Sequence, residues 1–413
     1  MDKSRQRGSF DRLSKKGNFY KGDIKMRIKK VARCILLAGQ IFGLFFLTFY
    51  SFGQKPAKWK GKTATVDGVL VIKNPKTPLY SSAEVKLTEE LKIGESEGQP
   101  EYMFGRIAGI AVDDPGCIYV ADDKTIDIKV YDPKGAYLRT IGRAGQGPGE
   151  IGRPYDVFVN SRNELLIPDG KNYKLHVFSL DGKFLQAKSF GARFPEMTAY
   201  SPKGQLYVLS FGGDFSTGTY FELVKLDEDL SPLTVLHRID IPPGGPLRES
   251  LDDKIPLFCV QSDGNLVMGF PKRDEYSLRV INSEGKVLKI ISRDFEPVPI
   301  PKEDLEKARE SRPSGMTFEL PTHFPGFSRL VADDKGKIFA LTAPLSLTMK
   351  SFFWDVFDAE GRYLANIRLP GSVWHLSNMK NGLLWKGGKL YVVEEDKDGY
   401  HIVKRYAVEW ILR

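Results

Sequence analysis

Apolar and polar positions between residues 109 and 190 trace one pattern twice. Residues 109 to 142 (GIAVDDPGCIYVADDKTIDIKVYDPKGAYLRTIG) read as an apolar strand, a turn, a second apolar strand, a polar loop, an alternating strand, an Asp/Gly turn and a short last strand. Residues 156 to 190 (DVFVNSRNELLIPDGKNYKLHVFSLDGKFLQAKSF) repeat that order. Period-two alternation between turn residues predicts β-strands, four to each copy. Repetition at about 40 to 50 residues with four strands per unit is the pattern of a β-propeller blade. A lone blade cannot bury both of its faces, so the copies must pack around an axis.

The turns count the blades. Tight reversals that need Asp, Asn or Gly recur as VYDPKG (130 to 135), VFSLDG (177 to 182), VKLDED (224 to 229), VINSEG (280 to 285) and VFDAEG (356 to 361). A sixth unit after these supplies three strands, NGLLWKGG, KLYVVEED and HIVKRYAVEW, and no fourth before Arg413. The missing strand is predicted at the other end, at residues 85 to 94 (VKLTEELKIG), which precede blade 1 as AYLRTIG precedes blade 2. Pairing the two ends would close the ring and remove its free sheet edges. The expected fold is therefore all-β: a six-bladed β-propeller of four-stranded blades over 84 to 413, closed by an N-terminal strand.

Four stretches, DGVLVIKNPKTPLY (67 to 80), IYVADDKTIDIKVYD (118 to 132), TIGRAGQGPGEIGRP (140 to 154) and FPGFSRLVADDKGKIFAL (324 to 341), resemble NHL-type six-bladed propellers, in particular the bacterial six-bladed β-propeller proteins. The resemblance covers roughly residues 60 to 413 and implies an extracytoplasmic ligand- or protein-binding role. Fold alone does not fix function.

Charge and hydropathy set the context. Residues 1 to 33 hold twelve Lys/Arg against three Asp, which is the whole net charge of +9, and the rest of the 413-residue chain is balanced. The basic pI is therefore no sign of a nucleic-acid-binding propeller. Residues 34 to 53 (CILLAGQIFGLFFLTFYSFG) carry no charge behind that basic flank, so they predict either a transmembrane anchor or a signal peptide cut after Gly53, with Met26 as an alternative start. Both readings export the propeller to the periplasm or exterior. Residues 54 to 83 are expected to be a tether and an extra hairpin. Residues 292 to 326 interrupt the repeats, with one exposed helix predicted in PKEDLEKARESR behind Pro301.

Catalytic patterns are sparse. The chain lacks G-x-S-x-G, H-E-x-x-H, paired C-x-x-C and P-loop motifs. The glycine-rich GRAGQGPGE (142 to 150) leads into a strand and reads as an inter-blade turn. Cys117 and Cys259 fall on opposite blades, too far apart for a disulfide. No cofactor and no metal site is expected. Of five histidines, His176 and His401 are expected to be solvated or half-buried in third strands. His323, in the insertion, and His375, near blade 6, are the candidates for an axial His/carboxylate site of a lyase or lactone hydrolase, with a possible divalent cation. Asp122, Asp123 and Asp169 end second strands and suit capping of the following turn.

The leading functional expectation is a binding module. Arg106 and Arg153 stand six residues before Val112 and Val159, at equivalent places ahead of the first strand in adjacent blades, and Arg193 lies one residue out of that register. Together they would form a cationic arc for a carboxylate, sulfate or phosphate of a small anionic ligand, glycan or protein partner. Pairing with Glu101, Glu150 and Glu196 is the competing reading.

Overall fold

The computed structural model describes residues 58–190, 194–214, 216–227, 232–243, 253–310, 320–342, 351–371 and 382–413. The first strands among the described residues form a hairpin, β1 (Lys62–Val66) and β2 (Val69–Asn74), turned at Asp67 and Gly68, whose φ values of 50° and 77° are those of a two-residue hairpin turn. β3 (Glu84–Ile93) follows. Blade 1 is β4 (Ile107–Val112), β5 (Ile118–Asp122), β6 (Asp127–Tyr131) and β7 (Tyr137–Ile141). Blade 2 is β8 (Phe158–Val159), β9 (Glu164–Asp169), β10 (Lys174–Ser179) and β11 (Phe184–Ser189). Blade 3 is β12 (Phe194–Tyr200), β13 (Leu206–Asp214), β14 (Gly218–Leu226) and β15 (Pro232–Ile241). Blade 4 contains β16 (Leu257–Val260), β17 (Leu266–Gly269), β18 (Ser277–Ile281) and β19 (Val287–Arg293). Blade 5 is β20 (Arg329–Ala332), β21 (Ile338–Leu341), β22 (Ser351–Phe357) and β23 (Tyr363–Pro370). Blade 6 holds β24 (Leu383–Lys386), β25 (Lys389–Glu395) and β26 (His401–Ile411).

Strand alternation builds the core. In β5, Tyr119 and Ala121 pack towards blade 2, while Ile118 and Val120 pack towards blade 6. In β9, Leu165 and Ile167 turn to blade 1 and Leu166 to blade 3. Period two thus sends successive side chains to opposite faces, and both faces are buried because each has a neighbouring blade. The result is six apolar slabs, one between each adjacent pair of blades. The first strands β4, β8, β12, β16, β20 and β24 edge the axis, each packing beside the next blade's first strand around most of the ring.

Ring closure falls where the sequence puts it. β3 lies antiparallel on β26, from Val403 opposite Ile93 to Ile411 opposite Glu84, and is the outer strand of blade 6. Blade 4 departs from the four-strand expectation. β2 pairs in parallel with β19, from Lys289 opposite Leu70 to Arg293 opposite Asn74, so the hairpin extends that blade to six strands. Asn74 locks it: Nδ2 donates to the carbonyls of Ser292 (3.1 Å) and Gly361 (2.9 Å), and Oδ1 accepts from Tyr363 N (2.7 Å) and Trp59 Nε1 (3.0 Å). That uses the full hydrogen-bonding capacity of a buried amide. The chain then crosses blade 5, where Leu79 N and Tyr80 N donate to the carbonyls of Tyr363 and Leu364, before reaching β3. Residues 58 to 83 are a strap over three blades, anchored along its length.

The fourth strand of blade 4, β19, runs to Arg293, so the interruption between blades 4 and 5 begins after it. Within it, residues 298 to 300 pair with 322 to 324, and α1 (Lys302–Glu310) starts directly after Pro301. Among the described residues no helix is long and apolar enough to cross a membrane; the apolar stretch at 34 to 53 lies outside them.

Candidate functional site

A repeated device fixes the loops at one end of the channel. Asp122, last in β5, accepts hydrogen bonds from the backbone N–H groups of Gly105 (2.7 Å), Arg106 (3.0 Å), Lys124 (2.9 Å) and Thr125 (3.3 Å). Asp169, last in β9, does the same for Gly152 (2.7 Å), Arg153 (2.9 Å), Lys171 (3.0 Å) and Asn172 (3.0 Å). Each carboxylate therefore ties the turn after the second strand to the chain arriving at the first. Buried N–H groups in such loops need an acceptor, and an ionised carboxylate is a strong one.

Asp169 has a further partner. His176 is fully buried, neither solvated nor half-buried as expected, and its Nε2 lies 3.1 Å from Asp169 Oδ2. Burial pushes the Asp169 carboxyl up, but the hydrogen bonds from His176, Gly152, Asn172 and Arg153 outweigh it and hold the group at about 2. A folded value below the unfolded one stabilises the fold above the unfolded value and loses that contribution as pH falls through the folded one. Asp169→Asn is accordingly expected to cost on the order of 2 kcal/mol near neutral pH. In urea titrations the gap from wild type should close between pH 4 and 2; a gap independent of pH would contradict this.

With both loops held this way, Arg106 and Arg153 project at matching places and meet at one residue. Arg106 donates Nε to Asp123 Oδ1 (2.5 Å) and Nη2 to Oδ2 (2.8 Å), a bidentate pair. Arg153 brings Nε (3.3 Å) and Nη2 (3.1 Å) to the same Oδ2. The Asp123 side chain is 0% exposed, against 27% for Arg106 and 43% for Arg153. The partner common to both is Asp123, in place of the glutamates considered from the sequence; Glu150 is taken by Arg143 and by the amides of Gln146 and Gly147. Asp123 thus acts as a hub between two blades, in addition to standing at the turn.

His401 belongs to the same corner. It is half-buried, as its strand position suggests, and Nδ1 accepts from Ile107 N at 3.0 Å, joining blade 6 to the first strand of blade 1. Burial lowers its pKa, with the Arg106 charge acting in the same direction and Glu395, Asp122 and Asp123 opposing. The hydrogen bond requires an unprotonated Nδ1, consistent with a neutral ring.

The remaining sequence candidates do not join this group. Arg193 and His375 lie outside the described residues. His323 sits in the interruption after blade 4, half-buried, with Nδ1 3.0 Å from Thr322 Oγ1 and its carbonyl accepting from Arg273 Nε. Among the described residues no three His, Cys, Asp or Glu side chains gather as a metal site. Cys117 and Cys259 are both free thiols. At the other end of the channel, Ile110, Val112, Phe158 and Leu384 wall a cleft of about 440 Å³, with Lys386 and Asp114 paired at its rim at 2.6 Å.

Comparison with known proteins agrees with this architecture. The family model DUF5128, described as a 6-bladed beta-propeller, matches residues 97–243. Among solved structures, an exported-protein assignment from Bacteroides fragilis is 13% identical, covers 82% of this chain and 99% of its own, and superposes with a TM-score of 0.51. A member of the DUF4221 family from Bacteroides vulgatus is 14% identical over 80% of this chain and 99% of its own, at 0.46. Virginiamycin B lyase from Staphylococcus aureus is 10% identical over 80% of this chain and 89% of its own, at 0.37. At these identities the likeness to the first speaks for the fold alone, and the lower scores of the other two carry no argument. No curated protein matches the chain. The protein is a six-bladed β-propeller.

Proposed function

We propose that this propeller is an exported binding module that holds an anionic group, a carboxylate, sulfate or phosphate of a ligand or partner, at the Arg106, Asp123 and Arg153 corner. The observation that carries the reading is the arrangement of Arg153. Its guanidinium is aimed by a backbone clamp on Asp169 and shares with Arg106 a single oxygen of a buried carboxylate. It is 43% exposed, and among the described residues its Nη1 makes no hydrogen bond. A planar fork held in place with one edge towards solvent is preorganised for an oxyanion. Export rests on the uncharged stretch at 34 to 53, and the assignment of the Bacteroides fragilis protein points the same way.

The test is a titration of the purified chain with acidic glycans and small polyanions. Binding should weaken with salt. Arg153→Ala should weaken it by roughly 10- to 100-fold, the loss of one or two hydrogen bonds to a charged group. Lys286→Ala, after the third turn of blade 4, should leave it unchanged. Equal loss in both variants, or no binding at all, would remove the reading.

A further inference from the structure

Charge is segregated along this chain in a way that its total conceals. Residues 54 to 83 contain six lysines and one acidic residue, Asp67, a net +5, whereas residues 84 to 413 hold 43 Lys and Arg against 48 Asp and Glu, a net −5. The body of the propeller is acidic and the strap that runs over blade 4 is basic.

Among the described residues of the strap, the fold leaves Lys58, Lys60, Lys62 and Lys73 exposed. Lys58, Lys60 and Lys62 alternate with Trp59 and Gly61. Trp59 turns inward onto the slab between blades 4 and 5 and lies over Gly61, where a Cβ would stand 2.1 Å from its ring. When alternate residues of an extended chain seat inward, those between them face away, and Lys58, Lys60 and Lys62 are all exposed. Lys73, also exposed, stands directly across from Lys62 in the β1–β2 pair. Like charges placed opposite each other destabilise a sheet pair. Lys76 is neutralised by Glu296, yet among the described residues no carboxylate pairs with Lys58, Lys60, Lys62 or Lys73. A folded surface that keeps four ammonium groups together against their own repulsion is built for an external anion.

The sequence ahead of the strap selects which anion. Twenty residues without a charge end at Gly53, five positions before Lys58. A stretch of that length suffices to span a bilayer, and five residues extend no further than about 18 Å. We propose that the face formed by Lys58, Lys60, Lys62 and Lys73 seats on the anionic headgroups of a membrane and holds the propeller by its blade 4 rim. The acidic body is repelled by the same surface, so the two charges of the molecule act together to choose one orientation.

The experiment uses the full chain reconstituted into nanodiscs of phosphatidylcholine alone or mixed with phosphatidylglycerol, with amine acetylation read lysine by lysine by mass spectrometry. In the anionic discs, acetylation of Lys58, Lys60, Lys62 and Lys73 should slow by on the order of fivefold, the strength expected of a lysine at an anionic surface, and high salt should restore it. Lys134 and Lys171, on turns of blades 1 and 2, should react alike in both discs. In the Lys62→Gln, Lys73→Gln chain the slowing at Lys58 and Lys60 should shrink. Equal rates in the two lipids, or equal slowing at Lys134, would overturn the proposal. So would protection by soluble dextran sulfate without protection by anionic discs, which would assign the face to an acidic polysaccharide.

Discussion

Removing residues 84 to 93 is expected to abolish soluble folding, whereas removing residues 1 to 53 should leave a folded propeller. β3 supplies the outer strand of blade 6 along nearly the whole of β26, and Ile93 is fully buried against blade 1. Without it, an eleven-residue strand presents an unpaired edge, Leu87 and Val85 no longer cover the slab between blades 5 and 6, and the ring has no seam. Long open edges recruit other chains, so the expected product is aggregate. The shorter deletion stops ahead of Trp59, the first side chain seated on the core. Soluble yield and the sharpness of the thermal transition measure both. Similar yields from the two truncations would refute closure by β3.

Asp355→Ala should be the most damaging single substitution among the buried charges, at about 3–5 kcal/mol, the usual cost of removing one partner from a buried ion pair. The Asp355 carboxylate is fully buried in β22 and accepts from Arg293 Nη1, from Tyr363 Oη at 2.8 Å and from Asn366 Nδ2 at 2.9 Å. Arg293 lies over the Tyr363 ring at 4.4 Å and has no other carboxylate among the described residues, so truncating Asp355 strands its charge between blades 4 and 5. Burial nonetheless raises the Asp355 pKa, outweighing the Arg293 charge and the hydrogen bonds from Asn366 and Tyr363. For this carboxylate, then, the cost of leaving water is the larger influence. The double replacement Arg293→Met, Asp355→Leu should then be much milder than Asp355→Ala, because neither charge is left to be stranded. Urea midpoints of the three variants decide it, and a double variant as unstable as the single one would show that the charges are worth more than their burial costs.

The parts of this architecture that were legible in the sequence are those set by local chemistry. Turns such as VYDPKG and VINSEG mark the reversals because Gly135 and Gly285 adopt φ of 86° and 85°, which glycine accepts readily. The closing strand could be found because β3 carries the same alternation as the last strand of each blade. Pairing across long separations left no such mark. Nothing in VLVIKN distinguishes a free hairpin from one laid in parallel on β19, more than 200 residues away, since register is chosen by the partner surface. At the candidate site, the equivalent spacing of Arg106 and Arg153 was readable, but their common partner was not. The available signal was the doublet Asp122 and Asp123 where blade 2 has Asp169 and Gly170: the first aspartate of each pair is used by the backbone, which leaves the second of blade 1 for side chains. Strand position marks His401 as half-buried, as it is, but gives no sign that His176 is fully covered, since it does not report which neighbour lies over a ring.

The seating of Trp59 against Asn74 also decides how the molecule bears load. Tension arriving along the chain ahead of Lys58 meets that indole first, at the boundary of blades 4 and 5, where a buried amide ties the strap to both blades. Behind it the five-residue parallel register of β2 on β19 resists sliding along its length. The seam in blade 6 lies further down the chain and carries no force until that lock has given way, so a pull on the N-terminal end strains the rim of the ring and spares its closure.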